Sequence, residues 1–453
     1  MVVEALRALR LDEVIERVLH VAKRRRGYSE LDKLEALTLL LAAGGDRVED
    51  IRVLSHDKGL MRLLDRMLPS PDALLDFLGG FDAPAASAQR PVDELSWVPP
   101  ETAPLQALGS VNDALIARGA DRSVTTATID HDGTIIESHK QAATVAYEGT
   151  RGYQPLVAVW AEQDLIVADE FRDGNVPGGK DPLSSVKRAF EALPPWVRKR
   201  YFRADSAAYY TPLLKYLVTQ GIEFSISADM GQELRACCTA VPESRWSLLE
   251  TRERESVHLA EVEFSPGDWS KDAQPLRYVA MRFTARQQDL FEGPKYLAVV
   301  TNRRHKSLGA RRLVRWHWAK AGTIEHIHRS LKDELGAGVL PSNRFGANAA
   351  WFRINALTHN LLTLLRRRAL PERFRDTRPK RLRFEVLTVP GRLVVHQRQL
   401  TVELAAGLER TEELIEARWR LLCMRRALAA STRRRKKPRL PKKRSGPIQS
   451  KGP

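Results

Sequence analysis

Between residues 124 and 228 the chain reads as three consecutive strands and then two rounds of helix and strand, an order that leaves few folds open. Val124–Ile129 is rich in Thr, Val and Ile. Tyr153–Trp160 and Leu165–Phe171 follow, the last two separated by the turn residues Glu162-Gln163-Asp164. A helix over Pro182–Leu193 then leads to a strand over Lys199–Ala204. A second helix over Pro212–Gln220 leads to a strand over Ile222–Ala228. Strands joined by short turns pair antiparallel, whereas strand–helix–strand units pair parallel. The expected product is a mixed α/β sheet.

The flanks read differently. Residues 1–81 are predicted as a helical N-terminal domain. Leu11, Val14, Ile15, Val18 and Leu19 recur at helical spacing, and Ser29 with Asp32 forms a capping box ahead of Leu34–Leu41. Gly44-Gly45-Asp46 makes a turn before a helix over Val48–Ser55, and Ser70-Pro71 starts a third. Helices joined by a Gly-containing turn suit a DNA-reading helix-turn-helix and a plain helical bundle alike. Pro84, Pro91, Pro99, Pro100 and Pro104 mark residues 82–120 as a linker or wrap. Residues 121–229 form the first part of a core whose element order resembles the RNase H-like α/β fold. Residues 230–295, with a strand candidate at Val257–Phe264, are expected as an inserted β-rich subdomain. The strand Lys295–Thr301 and helices over Val314–Leu335 and Ala347–Arg368 place the second part of the core at 296–370. A strand/helix extension is expected at 371–430, and a disordered basic tail at 431–453.

Charge points to the partner. Lys and Arg total 73 against 56 Asp and Glu, a formal charge of +17, which suits a polyanion. The longest apolar stretch, Leu37–Ala43, stops at Gly44-Gly45, and residues 1–5 lack the basic-then-apolar order of a signal peptide. Nucleic acid is therefore expected rather than lipid, with no membrane association. Cys237, Cys238 and Cys423 fit neither a disulfide framework nor a zinc knuckle, so a cytoplasmic setting follows. The run Arg433-Arg434-Arg435-Lys436-Lys437 with Lys442-Lys443-Arg444 is expected to grip phosphates. Deleting 433–444 should weaken DNA affinity and flatten its dependence on salt in a titration. An unchanged salt slope would mean the run does not touch DNA.

Three acidic positions could carry chemistry. Asp130 and Asp132 alternate onto one face of a strand, where a carboxylate is costly unless it is paired or binds a metal. Asp132-Gly133 also reads as a hairpin turn. Asp205 follows the strand Lys199–Ala204 at its carboxyl end, where α/β sheets place ligands, although Asp205 or Ser206 would equally cap a helix. On the helix near 325, Glu325 and Lys332 fall about 20° apart at 100° per residue. Glu325 and Arg329 would also make an ordinary i, i+4 pair. His326 and His328 point about 200° apart on a helix, so no zinc site is expected from the two.

Several pieces resemble the DDE insertion-sequence transposases, and specifically the insertion-sequence 1380 group. They are Asp132-Gly133-Thr134 with Glu137-Ser138-His139, Arg151-Gly152-Tyr153-Gln154-Pro155, Asp169-Glu170-Phe171-Arg172-Asp173-Gly174-Asn175, Arg203-Ala204-Asp205-Ser206, Lys320-Ala321-Gly322-Thr323-Ile324-Glu325, Gly346-Ala347-Asn348 and Trp351-Phe352-Arg353. Their order over about 220 residues is the specific feature. The resemblance implies a catalytic triad of Asp132, Asp205 and Glu325, with Asp130 the second choice for the first position. It implies two Mg²⁺ ions, for which Mn²⁺ substitutes. Related transposases carry a Tyr-x2-Arg-x3-Glu-x6-Lys signature. Here that register reads Trp318, Ala321, Glu325 and Lys332, so Lys332 matches as a phosphate contact and Lys320 or Arg329 would supply the missing charge. Also implied are cut-and-paste transposition in a bacterial mobile element, double-stranded terminal inverted repeats and target DNA as partners, a homodimer on DNA, and a nucleoid-associated location. A structure-specific nuclease with the same RNase H-like site, or a non-catalytic DNA-binding regulator, would share most of these features.

Overall fold

The computed structural model describes residues 1–21, 27–82, 96–269, 274–285, 293–397, 399–404 and 409–436. Among the described residues up to Gly79, helices dominate. Val2–Ala8, Leu11–Val18 and Glu30–Ala43 bury Leu6, Leu11, Ile15, Leu34 and Leu37 in the main core. The capping box forms: Asp32 N–H donates to Ser29 Oγ at 3.1 Å, and Ser29 N–H to Asp32 Oδ2 at 2.9 Å. Gly44 ends the third of these helices at φ +97°, a conformation open mainly to glycine. The Val48–Ser55 prediction resolves into a 3-10 turn over Val48–Asp50 and a short helix over Ile51–Ser55. Lys58–Leu64, which was not expected, follows. Ser70 caps Pro71–Gly79, accepting from Ala73 N–H at 3.3 Å.

The linker expectation for 82–120 needs correcting. Pro84 and Pro91 lie outside the described residues, but Ala103–Gly119 is a 17-residue helix. Pro104 sits in its first turn, where its missing N–H costs nothing, and Thr102 Oγ1 accepts from Leu105 N–H at 3.3 Å. Leu105, Leu108, Val111, Leu115 and Ile116 fill the core beneath it. The proline cluster obscured a helix start.

Among the described residues, nine strands form one sheet. In chain order they are β1 (Thr126–Gly133), then the short β2 (Ile136–Glu137), β3 (Thr144–Val145) and β4 (Arg151–Tyr153) of a separate three-stranded sheet, then β5 (Leu156–Trp160), β6 (Leu165–Glu170), β7 (Lys199–Ala204), β8 (Glu223–Ser227), β9 (Ser247–Thr251), β10 (Glu255–Val262), β11 (Arg277–Ala285) and β12 (Lys295–Thr301). The large sheet runs β6-β5-β1-β7-β8-β12-β11-β10-β9. The meander β1-β5-β6 is antiparallel, β7 and β8 lie parallel to β1, and the rest is antiparallel. The Pro182–Glu191 and Thr211–Thr219 helices connect the parallel strands.

Two expectations change here. Asp132-Gly133 is not a hairpin turn: β1 runs through it, with Asp132 opposite Val157 and Gly133 opposite Leu156 of β5. The stretch 230–295 does not stand apart from the sheet. After the helix Gln232–Thr239, its strands β9 to β11 pair outward from β12 and extend the same sheet. A second small core of Leu249, Val257, Leu259, Val279, Met281 and Val299 forms there, closed by Leu313 and Val314.

Leu313 and Val314 belong to the helix Ala310–Arg329, which bridges the molecule. It starts over the added strands and ends beside β1. It passes into a π turn at Ser330–Glu334, where the backbone winds more slowly, so the 20° offset expected for Lys332 on an unbroken α-helix does not apply. The helix Phe345–Arg368 is buried almost all round and forms the centre of the fold. Its Asn360 donates to Ile166 O at 2.8 Å and to Asn112 Oδ1 at 2.7 Å, tying β6 to the Ala103–Gly119 helix. Beyond it the exposed hairpin β13 (Gly391–His396) and β14 (Gln399–Leu404) precedes a closing helix, Glu409–Lys436. The first six residues of the expected tail, 431–436, are therefore helical, and 437–453 lie outside the described residues. No helix among the described residues is long and apolar enough to cross a membrane.

Candidate active site

Two of the three acids lie at the ends of neighbouring central strands of the sheet. β1 and β7 are parallel, and their ladder ends with His131 opposite Ala204. One step further along each strand are Asp132 and Asp205, so the carboxylates emerge side by side at the carboxyl ends of adjacent parallel strands. Asp132 Oδ1 accepts from Gly133 N–H at 2.9 Å. Asp205 Oδ1 accepts from Ala207 N–H at 3.2 Å, so it does cap the short 3-10 turn Ser206–Ala208. Burial, and next the neighbouring Asp132 charge, raise the Asp205 carboxyl above the usual carboxylate range. The Lys320 charge opposes them. A carboxylate pair held together in this way gains from any cation placed between them.

One cation is already there. Lys320, buried on the bridging helix, donates from Nζ to Asp132 Oδ2 at 2.7 Å and lies 3.5 Å from His131 O. The expected phosphate contact is in this state an ion pair with the first catalytic candidate. Lys332 is half-buried and reaches Ile135 O at 3.5 Å, just beyond β1. Arg329 and Glu325 are exposed on the same helix. Among the described residues, no three His, Cys, Asp or Glu side chains converge closely enough to hold a metal ion. Asp132 and Asp205 thus begin an oxygen-donor set of the kind hard divalent cations take, and Lys320 marks where positive charge is held. Glu325 stands outside that pair.

Asp130 has another occupation. It is fully buried, and Arg203 grips both its oxygens, Nε to Oδ1 at 2.7 Å and Nη2 to Oδ2 at 2.8 Å. Arg203 also donates to Trp316 O at 2.6 Å and lies over the Trp316 ring. This cluster fastens β1, β7 and the bridging helix together just below the carboxylate pair. His317 fastens the same helix to β8, with Ser225 Oγ 2.9 Å from Nδ1 and Ser227 Oγ 3.0 Å from Nε2. Burial lowers its pKa to about 4, so it serves as a neutral clamp.

Most of the other motif pieces are scaffold. Arg353 is bound by Asp169 at 3.0 and 3.1 Å and by Glu101 at 2.7 and 3.0 Å. Arg172 is fully buried against Glu170, Lys180 O and Asp181 O. Gly174 is required by crowding: a Cβ there would lie 2.5 Å from Gly152 O. Tyr147, in the turn between β3 and β4, was missed by the sequence reading. It is 74% exposed and donates to Glu148 Oε1 at 3.0 Å, a bond that, more than the charges of Asp205 and Asp132, raises its phenol pKa. It falls between the motif pieces, and no local pattern singles it out.

Paired carboxylates at the ends of neighbouring parallel strands are an arrangement that can take a divalent cation. The sequence pattern described as "Transposase DDE domain group 1" matches residues 1–425, and the chain belongs to that family. It is a DNA transposase, a metal-dependent nuclease and transesterase. No curated protein matches it. Among solved structures it is similar to a piggyBac transposase synaptic complex with hairpin DNA. The identity is 14%, over 94% of this chain and 82% of that one, with a TM-score of 0.47.

Proposed function

We propose that Asp132, Asp205 and Glu325 form the catalytic triad of a cut-and-paste transposase that frees its element's ends and joins them to target DNA. The observation that carries this reading is the placement of Asp132 and Asp205 beside each other at the ends of β1 and β7, with the Glu325 helix alongside. The strand order β6-β5-β1-β7-β8, with one antiparallel meander and two parallel additions, supports an RNase H-like core. The order of the motif pieces supports the insertion-sequence 1380 group.

In this reading Asp132, Asp205 and Glu325 would be the residues that hold the Mg²⁺ ions, with Asp132 and Asp205 already adjacent at the strand ends. Bound divalent cations activate the attacking oxygen and stabilise the leaving one. The chain's part is positional. The Asp130–Arg203 pair fastens β1 to β7, and the bridging helix that carries Glu325 is held to β1 through Lys320. Water attacks the phosphodiester at the element boundary and leaves a 3′-OH and a 5′-phosphate. The 3′-OH then attacks a target phosphodiester and releases a target 3′-OH. Lys332 and Arg329 neutralise phosphate charge along the helix, and Lys320 joins them once released from Asp132. Joining two inverted-repeat ends to one target brings two copies of the chain together on double-stranded DNA.

Metal binding tests the assignment. Isothermal titration of the full chain with Mn²⁺ should give binding that is lost in Asp132→Asn and in Asp205→Asn. Undiminished binding in both would remove these residues from the site. Lys320→Met removes the competing ammonium, whose charge-assisted bond is worth about 1.5–3 kcal/mol, so Mn²⁺ should bind roughly ten- to a hundredfold more tightly. Weaker binding would show that Lys320 supports the metal site rather than competing with it.

A further inference from the structure

On the reading that two copies of the chain meet on DNA, some surface must join them, and the closing helix Glu409–Lys436 carries a candidate. Its inner face is occupied. Leu414, Ala417 and Leu421 are buried in the main core, and Arg418 binds Glu4 of the Val2–Ala8 helix at 2.7 Å. Its outer face is not. Ile415 is 62% exposed, Trp419 56% and Leu422 41%. Apolar residues scattered singly on a surface are ordinary. These three follow one another at spacings of four and three, the stripe by which one helix packs on another.

Helix geometry puts the two sets on opposite sides. Measured from Trp419 at 100° per residue, Ile415 lies about 40° round and Leu422 about 60° round, in the same direction. Leu414, Ala417 and Leu421 lie about 140–160° away. The inner stripe docks the helix on its own chain and leaves the outer one for another body.

Charge identifies that body. Glu412 and Arg426 each stand seven residues from Trp419, about 20° to either side of it, on the outer stripe. Glu412 is exposed, and Arg426 lies over the Trp419 ring, 5.9 Å from its centroid. Two such helices laid antiparallel, crossing at Trp419, set Glu412 of each beside Arg426 of the other, twice by symmetry. Parallel pairing would set like charges together. A stripe with an acid at one end, a base at the other and an apolar centre is therefore complementary to itself. A DNA backbone would match the Arg426 end alone and be repelled by Glu412.

We infer that Glu412, Ile415, Trp419, Leu422 and Arg426 form the surface on which a second copy of the chain docks, antiparallel and two-fold symmetric, with Trp419 as its central anchor.

Sedimentation equilibrium of the full chain without DNA reads this directly. Wild type should be dimeric at micromolar concentration. Trp419→Glu, which sets two carboxylates at the crossing, should be monomeric with unchanged far-ultraviolet circular dichroism. Glu412→Arg and Arg426→Glu should each weaken the dimer about tenfold, since each breaks two symmetric ion pairs. The double variant Glu412→Arg with Arg426→Glu, which exchanges the two ends, should restore it. A dimer that Trp419→Glu leaves intact overturns the inference, and so does a double variant as weak as either single one. A chain that is monomeric alone yet paired on an end-containing duplex overturns this surface and leaves the two-copy reading standing. A single copy on that duplex, despite a dimer free in solution, would instead overturn the two-copy reading, so the two failures are distinguishable.

Discussion

Asp132→Ala, Asp205→Ala and Glu325→Ala are each expected to reduce strand cleavage by about 10³-fold or more while end binding persists. Metal-assisted charge stabilisation is worth several kcal/mol, and each 1.36 kcal/mol is tenfold in rate. Binding persists because affinity for DNA comes mainly from Lys and Arg contacts to phosphate. Glu325 is exposed, so its removal costs little folding energy, whereas Asp132→Ala also leaves the buried Lys320 ammonium without its carboxylate partner. Gel-shift and cleavage assays on the same end-containing duplex separate the two effects. Equal loss of binding and cleavage in all three variants would assign them structural roles.

Asp130→Ala should behave in the opposite way. It strands the Arg203 guanidinium, only 4% exposed, without a counter-charge. Breaking a buried pair from one side costs about 3–5 kcal/mol, a large share of a typical folding free energy. Urea unfolding should show that loss in Asp130→Ala and not in Glu325→Ala. A double variant, Asp130→Leu with Arg203→Met, should recover much of the stability, because apolar replacements of both partners leave no orphaned charge. Full stability in Asp130→Ala, combined with loss of Mn²⁺ binding, would return Asp130 to the list of metal ligands.

The contrast between these neighbouring acids shows how far sequence reaches. Alternation along a strand places Asp130 and Asp132 on one face, and that was legible. Which of them faces an arginine depends on Arg203, 73 residues away, through the pairing of β1 with β7. The order of the large sheet's strands and connecting helices from 124 to 228 was legible because period and turn residues agree, but the small β2-β4-β3 sheet, which takes Tyr153 out of the expected Tyr153–Trp160 strand, was not. The Ala103–Gly119 helix was not, because Pro104 reads as a breaker until it is placed in a first turn. The turn reading of Asp132-Gly133 failed because the ladder to β5 outweighs a local dipeptide preference. The Lys320–Asp132 bond spans 188 residues and follows only from the tertiary path of the bridging helix.

The most direct test is cleavage of a labelled duplex containing the element end by wild type and Glu325→Ala, with Mg²⁺ and then with EDTA. The prediction is nicking at the element boundary by wild type, abolished by EDTA and lost in Glu325→Ala. Nicking that continues in Glu325→Ala, or that survives EDTA, would contradict the Asp–Asp–Glu site.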